Sequence, residues 1–193
     1  MERPDLSSAL NKKQQKVWSM KLIHLLRHAK SSWDDPDIDD FERPLNKRGH
    51  KTAVLLADYF RRQRIRPDIV LCSPAKRTRQ TLDALRASFH DVPVTCDRRL
   101  YDAAPMTLHA LLAELPRRCL SVLLIGHNPG LQQLALALSD PGRENPERPR
   151  LAEKFPTGGL VSLSAPIEEW PLLKDGTCTL EAFIRPRDLD PAE

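Results

Sequence analysis

The chain has 193 residues and a mass of 21.9 kDa, a size that suits one domain whose core needs no disulfide or metal to hold it. Its 40% hydrophobic and 29% charged residues exclude global disorder, and 17 prolines predict many rigid connections. The net charge of +4 is uneven: residues 1–100 carry 21 basic against 13 acidic side chains, net +8, and residues 101–193 carry 9 against 13, net −4, so the first half is expected to face an anion.

Residues 1–20 are polar, lack the apolar stretch of a secretory leader, and read as a loosely ordered extension. No run reaches the roughly 18 apolar residues of a membrane span, so a cytoplasmic protein with no membrane partner is expected. Lys21–Arg27 is a strand candidate. Leu45–Ile65 contains a helix, with Ala53, Leu56, Ala57 and Phe60 at helical spacing. Asp68–Cys72 reads as a second strand, and Pro74–Phe89 as a helix with Ser73 as its cap and Pro74 in the first turn.

Val92–Cys96 is a short third strand, followed by a helix over Thr107–Leu115 that Pro116 stops. Leu120–Gly126 is a continuous apolar run, the kind buried on both faces of a parallel sheet. Asn128 and Pro129 repeat the cap-plus-proline opening before a helix through Leu138. Residues 139–156 hold four prolines among charged residues and read as a surface loop or lid. Gly159–Ala165 and Thr177–Ile184 complete the strands, and residues 186–193 form a tail behind a single domain over 21–185. This alternation predicts a three-layer α/β/α sandwich with a mainly parallel central sheet.

In such a sheet, ligands bind beyond the carboxyl ends of the strands. Past the first strand stand Arg27 and His28, past the second Ser73 and Arg77, and past the fourth Gly126-His127-Asn128-Pro129. Two arginines and two histidines from three segments thus converge on one rim. Arginine forks, imidazoles and helix N-termini together suit a phosphoryl group.

Leu26-Arg27-His28-Ala29-Lys30-Ser31 resembles the signature of the histidine phosphatase superfamily, which shares a phosphoglycerate-mutase-like fold. Ser73-Pro74-Ala75-Lys76-Arg77-Thr78 resembles its second motif, and Gly126-His127-Asn128-Pro129 its third. The runs Arg27–Trp33 and Glu42–Gly49 look most like the short, SixA-type phosphohistidine phosphatases. The resemblance implies that His28 is a nucleophile forming a phosphohistidine enzyme, that Arg27 and Arg77 hold phosphoryl oxygens, and that His127 adds a donor. Ser31 and Asn128 are further candidates for contacting the phosphate. No metal or cofactor is implied.

Two departures stand out. Where many relatives have Arg-His-Gly-Glu, this chain has Ala29 and Lys30, a lysine that is either a cation beside the nucleophile or solvent-facing. The acid that an alkoxide leaving group needs has one candidate, Asp102, whose alternative role is a loop carboxylate. A phosphohistidine releases imidazole, which needs far less help, so a phosphorylated protein is the expected partner. The alternatives are a small-molecule phosphate-ester phosphatase using Asp102, and an inactive phosphate- or nucleic-acid-binding module.

Other signals point elsewhere. The six carboxylates over Asp34–Glu42 fail a calcium-loop pattern at Asp40 and Asn46, and read as a solvated acidic loop near the site. Arg61, Arg62, Arg64 and Arg66 close a helix, where cations suit the macrodipole, so no nucleic-acid partner is expected. The four cysteines, at 72, 96, 119 and 178, have no metal-like spacing and are expected to be reduced.

Overall fold

The computed structural model describes residues 20–189. Six strands, β1 (Met20–Arg27), β2 (Ile69–Cys72), β3 (Val94–Cys96), β4 (Ser121–Gly126), β5 (Leu160–Pro166) and β6 (Thr179–Ile184), form one sheet in the order β3-β2-β4-β1-β5-β6. The β1–β4, β4–β2 and β2–β3 pairs are parallel, and β5 runs antiparallel to both β1 and β6. The central strands are apolar on both faces because both are covered. Successive residues of β4 alternate: Val122 and Leu124 enter one core, Leu123 and Ile125 the other.

The helices divide between those cores. Leu56 and Phe60 of α1 (Lys47–Arg62), with Leu82 and Leu85 of α2 (Lys76–Leu85), pack on one face. Leu189 of the short α6 (Pro186–Leu189) joins them, so the expected polar tail starts as a helical turn docked on this core. Leu108, Leu111 and Leu112 of α3 (Pro105–Ala113) pack on the other face with Leu131 and Leu134 of α4 (Gly130–Leu138). The result is the three-layer α/β/α sandwich expected from the alternating pattern. Since α1 leaves β1 toward one face and α4 leaves β4 toward the other, a crevice opens between the carboxyl ends of these two neighbours.

Several local expectations change. α2 starts at Lys76, behind an extended Ala75, and Pro74 lies outside it. Ser73 is not its cap because its hydroxyl is engaged by His127 Nε2 at 2.8 Å; Thr78 instead donates to the Ser73 and Ala75 carbonyls at 2.7 and 2.6 Å. α4 likewise starts at Gly130 with no side-chain cap, since Asn128 Nδ2 donates to Gln132 and to the Phe155 carbonyl at 3.1 and 3.2 Å. α3 starts at Pro105, two residues early, with proline in the first-turn slot.

The expected loop or lid over 139–156 contains α5 (Glu147–Glu153), whose Leu151 is buried with Phe155 in the core of the α3–α4 face. Those two anchors outweigh the turn-forming prolines, so the segment is a packed wall rather than a free loop. Of the expected extension over residues 1–20, residues 1–19 lie outside the described residues, and Met20 belongs to β1.

Gly130 shows how tightly the loop after β3 is held. A Cβ there would overlap the Ala103 carbonyl oxygen. Gly130→Ala is expected to cost about 1–3 kcal/mol of stability in urea denaturation, because backbone must move to admit the methyl group.

Candidate active site

The site begins with strand register. In the β1–β4 ladder Arg27 lies opposite Gly126, so His28 and His127 are the next residues on adjacent strand ends. Their ring centroids are 5.2 Å apart, and both side chains are buried. Backbone bonds fix the first pair: His28 N donates to Gly126 O at 3.1 Å, and Arg27 N to Gly159 O at 3.0 Å. Gly158 N in turn reaches the Arg27 and His28 carbonyls, at 3.1 and 2.9 Å, from a turn with φ +74° that glycine adopts without strain. Ala29 N donates to Thr81 Oγ1 on α2 at 3.0 Å, which ties this segment to the helix carrying Arg77.

The hydrogen bonds assign both tautomers. His28 Nδ1 lies 2.7 Å from the Ala29 carbonyl, which can only accept, so Nδ1 carries the proton and Nε2 keeps its lone pair. Arg77 Nη2 lies 3.3 Å from His127 Nδ1, and a guanidinium only donates, so His127 Nε2 carries the proton and donates to Ser73 Oγ. Burial lowers the His28 imidazole to about 4 and that of His127 to about 3, with the guanidinium charges of Arg77 and Arg27 adding to the effect. Both rings are therefore neutral at neutral pH.

Two guanidinium groups complete the cluster. Arg77 is buried, and its fork engages the Asp40 carbonyl and, at 2.8 Å, the Asp40 carboxylate. Arg27 is half-buried, and its Nη1 donates to the Phe155 carbonyl at 2.8 Å. Arg27 Nε and Asn128 Oδ1 are buried with no hydrogen-bond partner among the described residues. Orphaned buried groups beside a charged cluster are what a ligand site leaves open.

The other expected residues lie as follows. Ser31 is buried, and its hydroxyl accepts from Arg43 Nη2 at 3.2 Å. Lys30 is exposed. Asp102 is exposed on the loop after β3, with a left-handed φ of 45°, and makes no hydrogen bond to the four central residues. Cys72, Cys119 and Cys178 are buried and Cys96 is exposed; all four are free.

Three neighbours escaped the sequence analysis. Asp40 Oδ2 accepts from Tyr101 OH at 2.7 Å, and its Oδ1 accepts from Arg43 at 2.9 Å. Burial pushes the Asp40 carboxyl up, but the bonds from Tyr101 and Arg77 and the charges of Arg77 and Arg43 outweigh it, so it stays below the usual carboxylate range. Tyr101 packs edge-on against His127, with centroids 5.3 Å apart. Arg43 stacks on Trp33, its Cζ 3.0 Å from the ring centre. Asp40 was hidden among five similar carboxylates; the Glu42-Arg43-Pro44 run beside it was the available signal.

The family description of the histidine phosphatase superfamily (branch 1) matches residues 23–123, a span that contains most of β1, all of α1 and α2, and the first half of β4. The chain belongs to the histidine phosphatase superfamily. An uncharacterized protein of Mycobacterium tuberculosis is 36% identical over 163 residues, covering 84% of this chain and all of the relative. A crystal structure from Agrobacterium tumefaciens, described as a candidate phosphohistidine phosphatase SixA, is 32% identical with a TM-score of 0.72, covering 86% of this chain and 97% of that one. A SixA structure from Nakamurella, similarly described, is 27% identical with a TM-score of 0.75, over 86% and 96% of the two chains. Superfamily membership and these likenesses support a phosphatase.

The buried imidazoles carry a pH signature. His24, also buried, is lowered to about 4 by desolvation. All three rings bind protons more readily unfolded, near 6.5, than folded, so the unfolded state gains protons first as the pH drops. Stability is expected to be full above about pH 6.5 and to fall steadily toward pH 4. Urea denaturation of His24→Asn against the parent chain checks the sign: the variant should lose less stability over that interval.

Proposed function

We propose that this chain is a phosphatase that works through a covalent phosphohistidine on His28, with phosphohistidine on a protein as its preferred substrate. The observation that carries this reading is the neutral His28 ring, with Nδ1 tied to a carbonyl and the Nε2 lone pair beside Arg27, Arg77 and His127. A nucleophile needs that lone pair, and a phosphoryl group needs those cations. The likeness to the Agrobacterium structure, described as a candidate phosphohistidine phosphatase, supports the same substrate class.

In the first step Nε2 attacks phosphorus, the N–P or O–P bond of the substrate breaks, and its electron pair leaves with the leaving group. Arg27 and Arg77 hold the equatorial oxygens, and the incoming dianion replaces the Asp40 carboxylate as the partner of Arg77. His127 Nδ1 becomes a donor once that negative charge raises its affinity for a proton. Water then attacks the phosphohistidine, releases inorganic phosphate and restores the His28 lone pair. Asn128 belongs to the same wall as Arg27 through their shared bond to Phe155. Ser31 acts at one remove, by holding Arg43.

The leaving group decides between substrates. Asp40, the carboxylate bonded into the cluster, is held ionised and is an acceptor rather than an acid. An alkoxide leaving group lacks a proton donor there, whereas imidazole needs little help. The ester reading would need Asp102 to reach the leaving group from its exposed loop.

Release of inorganic phosphate from a phosphohistidine protein tests the reading. His28→Ala is expected to lower the rate by at least about a thousandfold and Arg77→Ala by about 10²–10³-fold. Asp102→Asn should stay within about twofold, since its carboxylate has no part in releasing imidazole. Full turnover by His28→Ala would overturn the mechanism, and activity confined to sugar phosphates and dependent on Asp102 would replace the substrate class.

A further inference from the structure

A cavity of about 570 Å³ opens beside the phosphoryl site and shares Arg27 with it. Its wall comes from separate parts of the chain: Lys30 after β1, Arg48 at the start of α1, Lys154 and Thr157 between α5 and β5, and Arg187 in α6. Seven of the residues lining it are arginine or lysine, and Glu153 is the acid among them. Arg150 and Arg185 have carboxylate partners, Glu147 at 2.7 Å and Asp188 at 2.9 Å. Among the described residues, no carboxylate lies within ion-pairing distance of Lys30, Arg48, Lys154 or Arg187.

Four cations with no ion-pair partner among the described residues line one recess and repel one another. Their number and type indicate the anion. A carboxylate brings one negative charge, whereas a phosphate ester brings up to two and three oxygens that accept from guanidinium forks and ammonium groups. The volume suits a small molecule, not a protein surface laid across it. A cation shared with the reacting site means that one ligand can reach both.

We infer that this cavity is a subsite for a second phosphate group, so that the enzyme also binds small molecules bearing two phosphates. One phosphate lies at His28, Arg27 and Arg77; the other lies among Lys30, Arg48, Lys154 and Arg187. The assignment rests on the phosphoryl site proposed above. It also gives Lys30 a role, as the cation on the border between the two pockets.

Titration calorimetry tests this without turnover, so its outcome is separate from that of the His28→Ala assay. The probes are linear alkanediol bisphosphates of increasing chain length, each compared with its own monophosphate. The best bisphosphate is expected to bind about tenfold more tightly than its monophosphate, the effect of one further set of charge-assisted hydrogen bonds. That advantage should vanish in Lys154→Glu/Arg187→Glu and shrink in the milder Lys154→Gln/Arg187→Gln, while monophosphate binding and phosphoramidate turnover stay unchanged. Equal affinity for all pairs, or an advantage that survives charge reversal, would overturn the subsite. So would an aspartate-rich peptide that binds through Lys154 and Arg187 when no bisphosphate gains, because the cavity would then serve a protein surface.

Discussion

The parallel pairing of β1 with β4 is the constraint from which the site follows. Its register places Arg27 against Gly126, and one residue later two histidines face each other across the crevice. A slip of one residue would reverse the facing of every side chain on β1, moving Leu26 out of one core and Leu25 out of the other. Core packing and site geometry therefore select the same register. The glycine turn at Gly158 closes the arrangement from the β5 side through the Arg27 and His28 carbonyls.

Around that pair, charge and burial divide the work. Desolvation keeps both imidazoles neutral, which preserves a lone pair on His28 at neutral pH. The guanidinium groups find oxygen partners at the edge of the buried region: Phe155 for Arg27 and Asp40 for Arg77. Asp40 acts as a stand-in anion. It engages the Arg77 fork, whose donors are those that the proposed mechanism gives to a phosphoryl group. Tyr101 and Arg43 hold the other edges of that carboxylate, so the acidic loop reaches the site through Asp40, which stays exposed like the loop's other carboxylates.

The positive excess in the first half of the chain thus has several destinations. Arg27 and Arg77 enter the proposed phosphoryl site, and Arg43 bonds to its Asp40. Lys30 and Arg48 line the neighbouring cavity, where Lys154 and Arg187 from the acidic second half join them. That last convergence had no signal in the linear pattern, because its two pairs of residues lie more than a hundred positions apart and belong to no shared motif.

Local chemistry along the chain was enough to determine the alternation of strands and helices, the two-faced apolar strands, and the placing of Arg27, His28 and His127 at strand ends and of Arg77 early in the helix after β2. Each of these depends on periodicity or on neighbours a few residues away. Tertiary structure alone decided what the capping residues do: Ser73 and Asn128 are drawn from helix ends into bonds with His127 and Phe155, which pairing of distant strands brings near. It also turned the proline-rich segment into a wall through Leu151 and Phe155, and picked Asp40 out of six similar carboxylates. The physical reason is the same throughout. A hydrogen bond or buried contact between residues far apart in sequence outweighs a local preference worth about 1 kcal/mol.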